Sequence, residues 1–235
     1  MKANKRIFFI CFLFLLSGVT TPIISQTLTP PRFYTGVELN NKNIFFRDDG
    51  GYAGFFVGTE LFSVSFIAPE IEVKYLTGNI EYEEADVEGI ISGQLNHAMP
   101  SKSITSGEFD SWTYSITPKL AFGDEDFRFL ILPKYSIAST SVRASYHVID
   151  DAREYYSRVE QDEKKERQSY FTFGIGAEGH IFDTDKLSFA LTLHYSAWNI
   201  RELFDGLNVK GLRGEEGKGA IGIGFRVYFN PFARL

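Results

Sequence analysis

From Gly219 to Phe229 the chain alternates without a break: Ile221, Ile223, Phe225, Val227 and Phe229 on one face, Ala220, Gly222, Gly224, Arg226 and Tyr228 on the other. Period two over this length predicts a β-strand, because successive side chains point to opposite faces. One face is wholly apolar. The other is mostly small residues with an arginine and a tyrosine, which suits a strand with lipid on one side and a narrow polar lumen on the other.

Seven more segments carry the same alternation, and they predict strands at 32–39, 52–61, 65–76, 112–122, 127–146, 170–182 and 187–195. Their apolar faces include Phe33, Val37 and Leu39, then Phe55 and Val57, Ile71 and Val73, Trp112 and Ile116, Phe129 and Ile131, Phe171 and Phe173, and Leu191 and Leu193. The connections alternate in length. Polar 40–51, Ser/Gly-rich and acidic 78–110, charged 147–168 and Gly-rich 201–218 are long; those near Phe62–Ser63, at 123–126 and at 183–185 are short. The charged stretch reads as a solvated loop. A short exposed helix is its second reading, since Glu160 and Lys164 stand four apart.

An even number of strands with all long connections on one rim predicts an all-β fold: an eight-stranded antiparallel up-and-down transmembrane β-barrel with short periplasmic turns and long extracellular loops. Ten residues at about 3.3 Å rise and a tilt near 45° span roughly 23 Å, close to the apolar band such a barrel needs. Aromatics gather near both inferred rims: Phe62, Phe122, Phe127, Phe182 and Phe229 at the short-turn end, Tyr75, Trp112, Tyr170, Tyr195 and Trp198 at the loop end. A lipocalin-like soluble barrel shares the alternation. The one-sided loops, and an opposite face of glycines with a few charges, favour the membrane form.

The amino terminus adds an address. Lys2, Lys5 and Arg6 precede the apolar run Ile7–Leu16, the pattern of a secretory signal peptide, so the expected division is 1–25 signal peptide and 26–235 barrel domain. The one cysteine, Cys11, lies in that run, which leaves the mature chain without disulfide or thiolate chemistry. Three of the 24 Lys/Arg leave with the signal, so 21 bases face 30 acids, a formal charge of −9. That balance argues against nucleic acid, which selects a basic footprint.

On the signal peptide, the Ala68-Pro69-Glu70-Ile71 start of the third strand and Gly224-Phe225-Arg226-Val227-Tyr228-Phe229, the chain resembles the eight-stranded outer-membrane β-barrel domain family that includes PorT-like proteins, similar in architecture to OmpA and OmpX. The resemblance implies the outer membrane of a Gram-negative bacterium. It also implies outer-membrane lipids and lipopolysaccharide as surroundings, and Gly224, Val227 and Phe229 as a signal for the barrel-assembly machinery. Six residues, Asn230 to Leu235, follow the terminal aromatic, a departure from the common form of that signal.

Candidate chemistry is sparse. His194 and Ser196, two apart and on one strand face, resemble the His-x-Ser of lipid A deacylases, with Glu202 or Glu178 to orient the imidazole. By parity both face the lumen, away from lipid. His180, His194 and Glu178 form only a loose metal set without tight spacing, and no cofactor is expected. The stronger pattern is inward charge: Glu38, Glu60, Glu70, Glu72 and Glu178 with Lys74, Lys119, Arg128, Lys134 and Arg226, five acids and five bases. Eight strands enclose a space that side chains fill, and charges there persist only if paired. The reading is a non-catalytic barrel plugged by an ionic network, its loops serving surface interaction, an unknown protein partner or envelope integrity. A lipid A deacylase-like enzyme and a narrow solute channel of porin type are the alternatives.

Overall fold

A computed structural model of the chain describes residues 29–41, 51–84, 103–124, 126–150, 155–180, 186–210 and 219–232. The expected signal peptide, Phe182 and the centres of the expected long loops lie outside them. The elements are β1 (Arg32–Asn41), β2 (Gly51–Glu60), β3 (Ile67–Glu84), β4 (Ser103–Gly123), β5 (Phe127–Asp150), β6 (Tyr155–Gly179), β7 (Leu187–Ser196), a short helix α1 (Ile200–Phe204) and β8 (Ala220–Phe229). Every strand pairs antiparallel with the next, and β8 returns to β1, so the sheet closes and no strand order is crossed. The chain is a closed eight-stranded up-and-down barrel.

Parity sorts the side chains as the alternation predicts. On β1, Phe33, Val37 and Leu39 stand out while Tyr34, Glu38 and Asn40 are buried; on β8, Ile223, Phe225 and Phe229 stand out while Arg226 and Tyr228 are buried. Large apolar side chains therefore lie on the outside and charged ones inside, the reverse of a soluble domain. On the outer face the apolar band is followed toward the loop end by Asp110, Glu108 and Ser106 on β4 and by Ser139, Ser141 and Arg143 on β5. The band is a belt, not a coat.

Four expectations about the loop end are corrected. The 78–110 connection is shorter than its polarity suggested: β3 and β4 stay paired from Thr77↔Asp110 to Glu84↔Ser103. The described parts of the charged stretch, residues 147–150 and 155–168, are strand, neither loop nor helix. Residues 155–168 are the first half of β6, paired with β5 through Asp150↔Tyr155 with one register shift at Tyr146/His147. Hydrophobic periodicity is silent where both faces are polar. Pairing to a neighbour decides instead, helped by cross-strand Arg143–Glu163 at 3.4 Å. Finally, 201–218 holds most of α1, and Tyr170 and Trp198 are not belt residues; both are buried inside the mouth. Tyr75, Trp112 and Tyr195 do face outward. At the other rim Phe122, Phe127 and Phe229 are exposed and Phe62 is half-buried.

The β4–β5 turn shows how a short connection is made. Gly123 has φ 137°, a left-handed value where a side chain would strike the Phe127 carbonyl, and the Asp124 carboxylate accepts the amides of Asp126 (3.1 Å) and Phe127 (2.9 Å). Just above this turn the wall is interrupted. Pro69 is the partner of Pro118, and the β4–β5 ladder stops at Ile116↔Tyr135 and resumes at Leu120↔Ile131. The register puts Pro118 opposite Pro133 in that gap, and neither has an N–H to give.

Candidate functional site

The barrel's inward residues build two layers. In the lower and middle lumen the structure places nine of the ten charges expected there in one connected set of ion pairs. The Lys119 ammonium reaches Glu60 at 2.9 Å, Glu178 at 2.8 Å and Glu70 at 3.4 Å. Arg226 pairs with Glu70 at 2.7 Å and Glu72 at 3.5 Å, Lys134 with Glu72 at 2.7 Å, and Lys74 with Glu38 at 2.7 Å and Glu72 at 3.6 Å. Strand register explains why cations must sit here. Glu60 and Glu70 are direct cross-strand partners, a repulsive pair unless a cation bridges it, and Lys119 touches both.

Arg128 is the exception. Although it is the register partner of Glu178, its guanidinium donates to the Asp124 carbonyl at 3.1 Å and stays half-exposed at the short-turn rim. Its expected place is taken by Arg32, which grips Glu60 with two bonds (3.0 and 2.7 Å) and Glu178 with a third at 2.6 Å. Arg32 shares the parity of Tyr34 and Glu38, so the alternation pointed inward for it too; its position at the strand's first residue hid it. The balance of five acids and five bases is kept with Arg32 in place of Arg128.

Aromatic groups line the same space. The Tyr228 hydroxyl donates to Glu70 at 2.8 Å, and its ring lies 4.1 Å from the Lys119 ammonium and 4.7 Å from the Arg32 guanidinium. Arg226 stands 5.2 Å from the Tyr34 ring and 5.4 Å from Phe56. These faces solvate cations where water has been excluded.

Above the ions lies the second layer, which the sequence did not announce. Trp198 stacks on Tyr170 at 5.2 Å and meets the edges of Tyr52 (5.7 Å) and Phe109 (5.6 Å); its indole N–H donates to Gln168 at 3.1 Å. Ile200, Leu203 and Phe204 of α1, with Val209, bury into the same cluster against Val142 and Ala144 of β5. The polar half of β6 holds this strap down. The Asp162 and Glu160 carboxylates accept the amides of Asn208 and Lys210, each at 2.9 Å, Lys164 donates to the Asp205 carbonyl, and Thr105 donates to the Lys210 carbonyl at 3.0 Å. The signal was the apolar Trp198, Ile200, Leu203, Phe204 and Val209 scattered within a Gly- and charge-rich stretch.

His194 and Ser196 share a strand face but have other partners. The His194 imidazole is bonded to Asn40 at 2.8 Å, which in turn donates to Glu38 at 3.1 Å; Ser196 accepts from Thr172 at 3.3 Å. Gly222 makes room for this, since a β-carbon there would meet both Asn40 and His194. Of the carboxylates expected to orient the imidazole, Glu178 belongs to Arg32 and Lys119, and Glu202 accepts from Asn199 at 3.3 Å. Among the described residues no group of three or more His, Cys, Asp or Glu is arranged to hold a metal ion.

The geometry defines a closed barrel, apolar outside and ionic inside. It is similar in solved structures to Ail, the attachment invasion locus protein of Yersinia pestis (10% identity, 85% of this chain and 95% of that one, TM-score 0.38). Further similar structures are the N-terminal β-barrel domain of Pseudomonas aeruginosa OprF (12%, 86% and 100%, TM-score 0.32) and Neisserial surface protein A (11%, 86% and 99%, TM-score 0.37). No family model and no curated protein matches the chain.

Proposed function

We propose that the protein is a non-catalytic integral barrel of a Gram-negative outer membrane, its lumen plugged by the ionic network and its loop end the working surface. One observation carries the reading: a belt of exposed apolar side chains encircles a barrel whose interior is salt-bridged. In water such a belt would drive association; in a bilayer it is the solvated side. Closure satisfies every backbone group that an open edge would leave unpaired in lipid, apart from the proline gap.

The plug follows from size and charge. Only a void of about 20 Å³ lies among Glu38, Lys134, His194 and Arg226, far short of a water-filled path. The aromatic strap closes the mouth above it. Outside the belt, the extended β3–β6 hairpins and the strap would present the surface to a protein partner or to lipopolysaccharide, and Gly224, Val227 and Phe229 would serve the assembly machinery. Two measurements test this. Cell fractionation should recover the protein with outer membranes, and the purified barrel in a planar bilayer should show no steady conductance. Recovery in the soluble periplasm defeats the location, and a large open pore defeats the plug.

A further inference from the structure

A small void in the ionic lumen has a definite donor and acceptor inventory. It is lined by Glu38, Lys134, Thr172, Thr192, His194 and Arg226. Arg226 is buried, and its Nε–H finds no acceptor among the described residues. Lys134 gives one N–H to Glu72, at 2.7 Å, and an ammonium has three. On the other side, Thr172 and Thr192 have already donated their protons, to Ser196 (3.3 Å) and to the Gly224 carbonyl (3.2 Å), so each offers only lone pairs.

We propose that this void is a built-in hydration site holding one water molecule, which accepts from Arg226 Nε and Lys134 and donates to the hydroxyl oxygens of Thr172 and Thr192. The size agrees: about 20 Å³ of space for a water-sized sphere exceeds the roughly 10–15 Å³ that one water requires and leaves little beyond it. The inventory separates water from the other small occupants. A metal cation would meet Lys134 and Arg226. A halide would find donors on one side but the lone pairs of two hydroxyls and the Glu38 carboxylate on the other. Only a species that accepts and donates uses all four groups. With the ion pairs below and the Trp198 strap above, this water is confined, and its exchange waits on opening of one layer. The inference rests on the ion-paired lumen but not on the protein's location or its loops.

Gly174 supplies the test, because it lines the void and a β-carbon there would sit 3.3 Å from His194 Cβ and 3.4 Å from Leu132 Cβ, a fit that asks only small shifts. Gly174→Ala therefore adds a methyl to the lining of the void and takes up space that a single water needs. If the site is hydrated, the methyl evicts the water, leaves Arg226 Nε without an acceptor and lowers the thermal midpoint of the refolded barrel. If it is a dry void, the methyl fills it and raises the midpoint. Oxygen-17 relaxation dispersion on the wild-type protein in micelles gives an independent readout: one long-lived internal water is expected, lost in Gly174→Ala. A raised midpoint in the variant, absence of a long-lived water in the wild type, or a midpoint that follows chloride at constant ionic strength would each overturn the proposal. Planar-bilayer conductance of the same sample shows separately whether the plug itself fails.

Discussion

At the scale of single residues, the lumen distinguishes two arginines that parity alone treats as equals. Arg32 holds two buried carboxylates, whereas Arg128 holds a backbone carbonyl at the rim. Arg32→Ala should therefore leave Glu60 and Glu178 dependent on Lys119, at a cost toward the lower end of about 3–5 kcal/mol because the arginine is 12% exposed. Arg128→Ala should change stability by no more than about 0.5 kcal/mol. Urea midpoints read from the heat-modifiable gel shift check both, and equal midpoints would refute the assignment. On the other face, Ile223→Arg sets a charge against lipid, for about 2–4 kcal/mol near the midplane, while Glu163→Ala removes only an exposed cross-strand partner. The inward set could be read from parity because the strand period is two and every charge on an even position of β3, for example, had to share one face. Which charges pair could not. Pairing depends on how side chains bend across an enclosed space, and Arg128 bends away from its register partner.

At the scale of elements, the strands in the apolar belt were legible, β5 as far as residue 146, and most of the other continuations were not. Within the belt the outer face is apolar, so alternation is visible; beyond it β5 keeps a contrast by turning Val142, Ala144 and Tyr146 inward, whereas both faces of the first half of β6 are polar and the pattern carries none. The strap escaped for a different reason: a five-residue helix has too few turns to display a period, and its burial comes from the inner wall of hairpins distant in sequence. Two outcomes follow. Trypsin added to intact cells should spare Lys165 and Arg167, since both lie in paired strand, and any cleavage should fall outside the described strands. Trp198→Ala removes the centre of the aromatic cluster and should destabilise the fold by about 3–5 kcal/mol without opening a pore, because the ion layer beneath is untouched. Steady conductance from that variant would show that the strap alone closes the barrel.

At the scale of the whole molecule, what was legible was the inversion of inside and outside, since it needs only strand parity and connection lengths. The closed circumference depends on register, which the chain writes mainly as pairs of residues distant in sequence. That circumference is not uniform. Opposite the continuous ladders of β7 and β8 stands the row Pro69, Pro118 and Pro133, where three rungs between β4 and β5 are missing. A cylinder with one unstitched stretch has a preferred line of bending. Slow breathing of the wall should concentrate there, with the strands on either side swinging as two panels about the intact seams. Amide exchange in micelles reads this directly: Leu120 and Tyr135, whose rungs border the gap on the β4–β5 seam, should exchange faster than Thr192 and Gly224, which are partners in a continuous ladder.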